Sequence, residues 1–225
     1  MSQSQRSGSQ YGEPLPRPPA PGLGAARPVR PPSVPADAWS GPVVTQDPRA
    51  ATLILTVGLP GAGKTTRAKE LAAALPALRL TPDHWMVPLF GDSLAGGKRF
   101  VLEGRLISVA LQALRLGTSV VLDFGLWGRD ERSALRWLAQ SAGAACQVVY
   151  LPVDKDVQLA RIAHRQATAP HQTFPMSEAE LDQWREQFQV PDAAELDGGE
   201  IPGPPVGWPG WPQWAADHWP TCTDS

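Results

Sequence analysis

The residues with the clearest chemical purpose form one short run, Gly58-Leu59-Pro60-Gly61-Ala62-Gly63-Lys64-Thr65. It fits G-x-x-x-x-G-K-[ST] without a mismatch, and it sits between an apolar run that reads as a strand and a segment that reads as a helix, the context this pattern requires. Glycines let the backbone turn tightly, so that several N–H groups converge on one phosphate while the following helix adds its positive end. A lysine at position 64 can reach the β- and γ-phosphates, and the Thr65 hydroxyl is placed to ligate Mg²⁺. The set expected to hold a nucleoside triphosphate, ATP with Mg²⁺, is therefore Gly58, Gly61, Ala62, Gly63, Lys64, Thr65 and Thr66.

Four further residues have types and positions suited to phosphoryl chemistry. Asp83 follows a short second strand, near the carboxyl edge of the sheet where open α/β folds bind ligands, and could take the proton of an attacking hydroxyl; an Asp in a turn or at a helix cap is the other reading. Asp123 ends a third strand, where it could hold Mg²⁺ or orient an acceptor, or simply satisfy nearby N–H groups. Arg161 and Arg165 stand four residues apart on one helix and face the same way, either as a lid over the triphosphate or as a solvated face. Arg129 and Arg132 open a helix, where cations oppose the helix dipole; an anionic substrate or a surface face would explain them. His84 has no metal-spaced partner, and Trp85 walls a pocket or fills the core.

These residues need a frame, and the chain between residues 51 and 196 alternates strand and helix in the way that builds an α/β domain. Strands are predicted at 52–57, 78–81, 119–123 and 147–151, with helices at 63–75, 98–116, 129–142 and 154–166. In the long helix Val101, Leu102, Leu106, Val109, Ala110 and Leu114 form the expected inward stripe. After a polar stretch at 167–176, Ser177 and Glu180 make a capping box for a helix to Phe188. No fifth strand follows. The fold expected is a doubly wound, mainly parallel sheet with helices on both faces.

Residues 1–50 hold eleven of the 25 prolines and no periodic apolar pattern, so they cannot bury enough apolar surface to offset ordering entropy and read as a disordered tail. A second tail, 197–225, interleaves prolines with Trp208, Trp211, Trp214 and Trp219; it is either a loose end or an aromatic segment that packs back or docks elsewhere. Two cysteines, Cys146 and Cys222, show no metal or redox spacing. No run approaches the roughly 18 apolar residues of a membrane span, and none resembles a signal-peptide core, which makes the cytoplasm the default expectation. The net charge of -2 gives no general attraction to nucleic acid.

Across about residues 53–195 the chain resembles the small P-loop kinases grouped with polynucleotide 5′-hydroxyl kinases, chloramphenicol phosphotransferase and zeta toxins, often seen as AAA-type ATP-binding proteins. The likeness rests on residues 58–66, the Asp83 segment, Val-Leu-Asp-Phe-Gly at 121–125 followed by Arg132, the pair Arg161 and Arg165, and the ending Phe188 to Glu195. It implies a P-loop NTPase fold, with Asp83 as the hydroxyl-activating base and both arginines touching ATP. The activity expected is transfer of the γ-phosphate of Mg·ATP to a hydroxyl of a small-molecule acceptor. A nucleic-acid 5′ end as acceptor, or an ATPase switch with no metabolite acceptor, stands beside it.

Overall fold

The structure, a computed structural model, describes residues 51–91, 96–168 and 176–222. The Pro-rich segment 1–50 and the centre of the polar stretch after the fifth helix lie outside the described residues.

The elements run β1 (Thr52–Val57), α1 (Lys64–Ala74), β2 (Leu78–Leu80), α2 (Asp83–Phe90), α3 (Lys98–Arg115), β3 (Val120–Leu122), α4 (Arg129–Ser141), β4 (Ala145–Tyr150), α5 (Lys155–Thr168), α6 (Glu178–Gln187), α7 (Ala193–Leu196) and α8 (Trp211–His218). Among the described residues the strands form one parallel sheet in the order β2-β3-β1-β4. Strand β1 is buried from Leu53 to Val57 because side chains of alternate residues enter two different apolar layers. Leu53, Leu55 and Val57 join the larger core built with α3 and α4, whereas Ile54 packs with Ala68 of α1, Val121 and Val149 on the other face. The chain leaves β1 toward β2 and β3 on one side, while β4 lies on the other, so the loops after neighbouring strands diverge at the end of β1. That divergence opens a crevice at the carboxyl edge of the sheet.

One expectation needs correction, and two open readings are decided. In α3 the buried face includes Leu102, Glu103, Gly104, Leu106, Ile107, Ala110 and Leu111, while Val101 and Val109 are exposed; packing rotates the stripe by taking in a glycine and a carboxylate that a purely apolar pattern overlooks. The Pro/Trp-rich segment is also not a loose end. Trp211, Ala215, Trp219 and Cys222 lie in the main core, and α8 packs against α4, so the core continues past residue 196. The Trp211 indole donates to the Pro202 carbonyl at 2.9 Å, which pins the proline run to the helix that follows. Trp85, on α2, is exposed and fills no core. Among the described residues no helix is long and apolar enough to cross a membrane.

Candidate active site

Residues 58–63 wrap from the end of β1 into α1, and each conformation there has a local cause. Gly58 has φ +156°, and a Cβ on it would lie 2.7 Å from the Leu151 carbonyl oxygen, so the loop leaves β1 pressed against the end of β4. Gly61 and Gly63 have φ of +79° and +98°, left-handed values that glycine adopts without a Cβ penalty. A Cβ on Gly63 would meet nothing within 4 Å; the space beside the start of α1 is open. Gly63 is the N-cap of α1, so the loop ends on the first N–H groups of a helix, the feature that binds phosphate.

Lys64 is the electrostatic centre. Its ammonium donates to the Leu59 carbonyl at 3.0 Å. Burial pulls its pKa down to about 8, opposed by the carboxylates of Asp123 and then Asp83, and assisted by the cations Arg165 and Arg99. Those four side chains are the charged groups whose fields act on it. The sequence anticipates three of them, Asp83, Asp123 and Arg165, although they come from different elements far apart in the chain.

Each has a defined setting. Asp123, buried just beyond β3, accepts two bonds from Arg79 of β2, at 3.2 and 2.8 Å, both on Oδ2. Asp83 opens α2 with a side chain 68% exposed, and its Oδ1 accepts from Arg99 of α3 at 3.0 Å. On α5, Arg161 donates to the carbonyls of Gly61 and Ala62 at 3.1 and 3.4 Å, so it grips the loop backbone. One turn earlier the fully buried Gln158 donates to the Pro60 carbonyl at 2.9 Å and accepts from Arg185 of α6 at 2.8 Å. The loop is thus clamped by α5, which is itself tied to α6.

Arg129 and Arg132 take no part. Arg132 has no exposed surface: it forms a two-pronged ion pair with Glu195 at 2.7 and 3.0 Å and donates to the carbonyls of Leu126 and Trp127. Arg129 pairs with Asp192 at 2.9 Å. Both bind the segment around α7 to α4, and neither the anionic-substrate nor the surface-face reading holds for Arg132. Arg79, Arg99, Glu103, Gln158 and Arg185 were overlooked in the sequence. Only Arg99 with Glu103 left a signal there, as an i,i+4 pair of opposite charge. Among the described residues no group of three or more His, Cys, Asp or Glu side chains is placed to hold a metal unaided, and both cysteines are free.

A chain of the Pnkp1/Rnl/Hen1 RNA repair complex superposes with a TM-score of 0.53 at 16% identity, over 62% of this chain and 44% of that one, so the match spans less than half of that protein. A gluconokinase from Sinorhizobium meliloti 1021 matches at 16% identity over 79% of this chain and 93% of its own, TM-score 0.45. Chaetomium thermophilum Kti12, solved with ADP-AlF3, matches at 17% identity over 76% and 100%, TM-score 0.47. At such identities the likeness concerns the fold. No curated protein matches the chain. The AAA domain family model matches residues 53–191, more than half of the chain and the stretch from β1 through the clamped loop to just short of α7, and on that match the chain belongs to the AAA domain family, with a P-loop kinase-like fold.

Proposed function

We propose that the chain is an ATP-dependent phosphotransferase that moves the γ-phosphate to a hydroxyl of a small molecule. The observation that carries the reading is the loop at residues 58–64, with Gly61 and Gly63 at positive φ and the buried Lys64 ammonium on the Leu59 carbonyl, a cation on which the charges of Asp123, Asp83, Arg165 and Arg99 act. Loop N–H groups and Lys64 hold the phosphates. Thr65 and Asp123 would supply hard oxygen donors of the kind that suit Mg²⁺, and the ion, when bound, would neutralise charge on the phosphates. The acceptor oxygen bonds to the γ-phosphorus as the bond to the β–γ bridging oxygen breaks, ADP leaves, and the hydroxyl proton passes to Asp83. Arg165 and Lys64 offset the charge on the departing oxygen. Arg161, held on the loop carbonyls, keeps the loop in shape and is within one helical turn of Arg165.

The test is a screen of hydroxyl-bearing metabolites and oligonucleotides with γ-labelled ATP. Asp83→Asn should remove roughly 10²–10⁴-fold of transfer while nucleotide affinity is kept. Transfer that survives this change refutes the base assignment. Label on an oligonucleotide end, with binding that falls steeply as salt rises, would shift the acceptor to nucleic acid. Slow hydrolysis indifferent to every acceptor and to Asp83 would leave an ATPase switch.

A further inference from the structure

We propose that the C-terminal segment 211–222 is a positioning strap for the acceptor side of the site, acting through Glu103 and Arg99 on the Asp83 carboxylate. The inference rests on Asp83 being the base. Asp83 is poorly held by its own element: it is the first residue of a two-turn helix that contains Pro88, and its side chain is mostly solvated. An exposed Arg–carboxylate pair alone is worth only about 0–1 kcal/mol, since two long side chains must give up rotamer freedom. Arg99 escapes part of that cost because a second bond already fixes it. Its Nε donates to Glu103 Oε1 at 2.9 Å, one helical turn along α3, while its Nη1 reaches Asp83.

Glu103 lies buried on the turn of α3 that the strap covers. It is 8% exposed, and burial raises its pKa against the opposing pull of Arg99, with Glu131 of α4 adding repulsion. The fully buried Trp219 places its indole N–H beside this carboxylate, close enough to favour its charge though outside hydrogen-bond geometry. The residue after Glu103 must be Gly104: a Cβ there would lie 2.6 Å from the Thr221 hydroxyl and 3.0 Å from the backbone nitrogens of Thr221 and Cys222. The Thr221 hydroxyl donates to the Val101 carbonyl, and the Thr221 backbone carbonyl accepts from Arg105 at 3.4 Å. The strap therefore clasps the single turn of α3 that carries Glu103, immediately after Arg99. Nothing else about a glycine in mid-helix is favourable, since alanine is the better helix former.

The deciding measurement needs no acceptor. In the ¹⁵N-labelled full chain the Arg99 Nε–H resonance, assigned by its loss in Arg99→Lys, should be slow to exchange; in Thr221→Val and in Gly104→Val it should exchange at least about tenfold faster. MgADP affinity should stay within about twofold, because the loop at residues 58–65 is untouched. Transfer in the γ-label assay should fall about 10- to 100-fold in kcat with KM for ATP unchanged, the cost of a misplaced base. If Gly104→Val does not fold, Thr221→Val, which removes one hydroxyl, carries the test. Unaltered Arg99 exchange in the folded variants overturns the strap. Faster exchange with undiminished transfer overturns the positioning role of the strap, while Asp83 as the base stands or falls separately with Asp83→Asn.

Discussion

Lys64 sits in the nucleotide-free chain with a pKa near 8, low for a residue whose role is to neutralise phosphate. The cause is position: the ammonium is withdrawn from water onto the Leu59 carbonyl, and the nearby carboxylates only partly offset its desolvation. A polyphosphate entering the loop brings several negative charges to this ammonium and must raise its pKa, so binding and protonation are linked. With only protonated Lys64 competent, the competent fraction falls from about 0.9 at pH 7 to about 0.1 at pH 9, a roughly tenfold loss of affinity or about 1.4 kcal/mol. Calorimetry in buffers of different ionisation enthalpy at pH 8.5 should show uptake of roughly three-quarters of a proton per nucleotide bound. The sign for stability is opposite. The folded chain holds fewer protons than the unfolded chain between about 8 and the ordinary 10.5, so this residue's contribution to stability is present above 10.5 and is lost as pH falls through 8. Lys64→Met should bind nucleotide more weakly, with its residual affinity flat from pH 7 to 9. Affinity of the natural chain that is equally flat, with no proton taken up, refutes the reasoning.

Two loop glycines should fail for different reasons. Gly58→Ala drives a Cβ into the Leu151 carbonyl and should lower unfolding stability by the order of 1–3 kcal/mol; Gly63→Ala meets no atom but sets a Cβ at φ +98°, so it should cost about 1 kcal/mol or more of stability through backbone strain alone and weaken MgADP as well, read by titration. Glu195→Ala strands the fully buried Arg132 and should destabilise by about 3–5 kcal/mol, whereas the double change Arg132→Met with Glu195→Leu should recover most of that loss; urea unfolding decides between them. Trp211→Ala should cost about 3–5 kcal/mol in the same assay, because its ring lies in the main core; an unchanged midpoint would mean that the segment contributes nothing to the fold.

What could be read in the sequence was whatever is local. The loop at 58–65 declares itself because its chemistry depends on neighbours in the chain: glycines where φ is positive, a strand before and a helix after. The capping box of Ser177 and Glu180 is local in the same sense and forms as expected, with Glu180 N–H donating to the Ser177 hydroxyl. Helix α2 hid because Pro88 lies inside it and argues against a helix. Its missing N–H falls late in a two-turn element, where only one helical bond is lost. Arg132 was misjudged for another reason. A cation near a helix N-terminus looks exposed or ligand-seeking, and nothing within a dozen residues reveals that Glu195, 63 positions on, will meet it. The tail shows the same limit: prolines between tryptophans signal low helical propensity, but whether the rings are buried depends on a surface offered by α3 and α4. A mid-helix Gly104 was the one local trace of that contact. Glycine there makes no sense for α3 as an isolated helix; it makes sense only if another backbone rests on it, which is why the residue that looks least like chemistry leads from the C-terminus to Asp83.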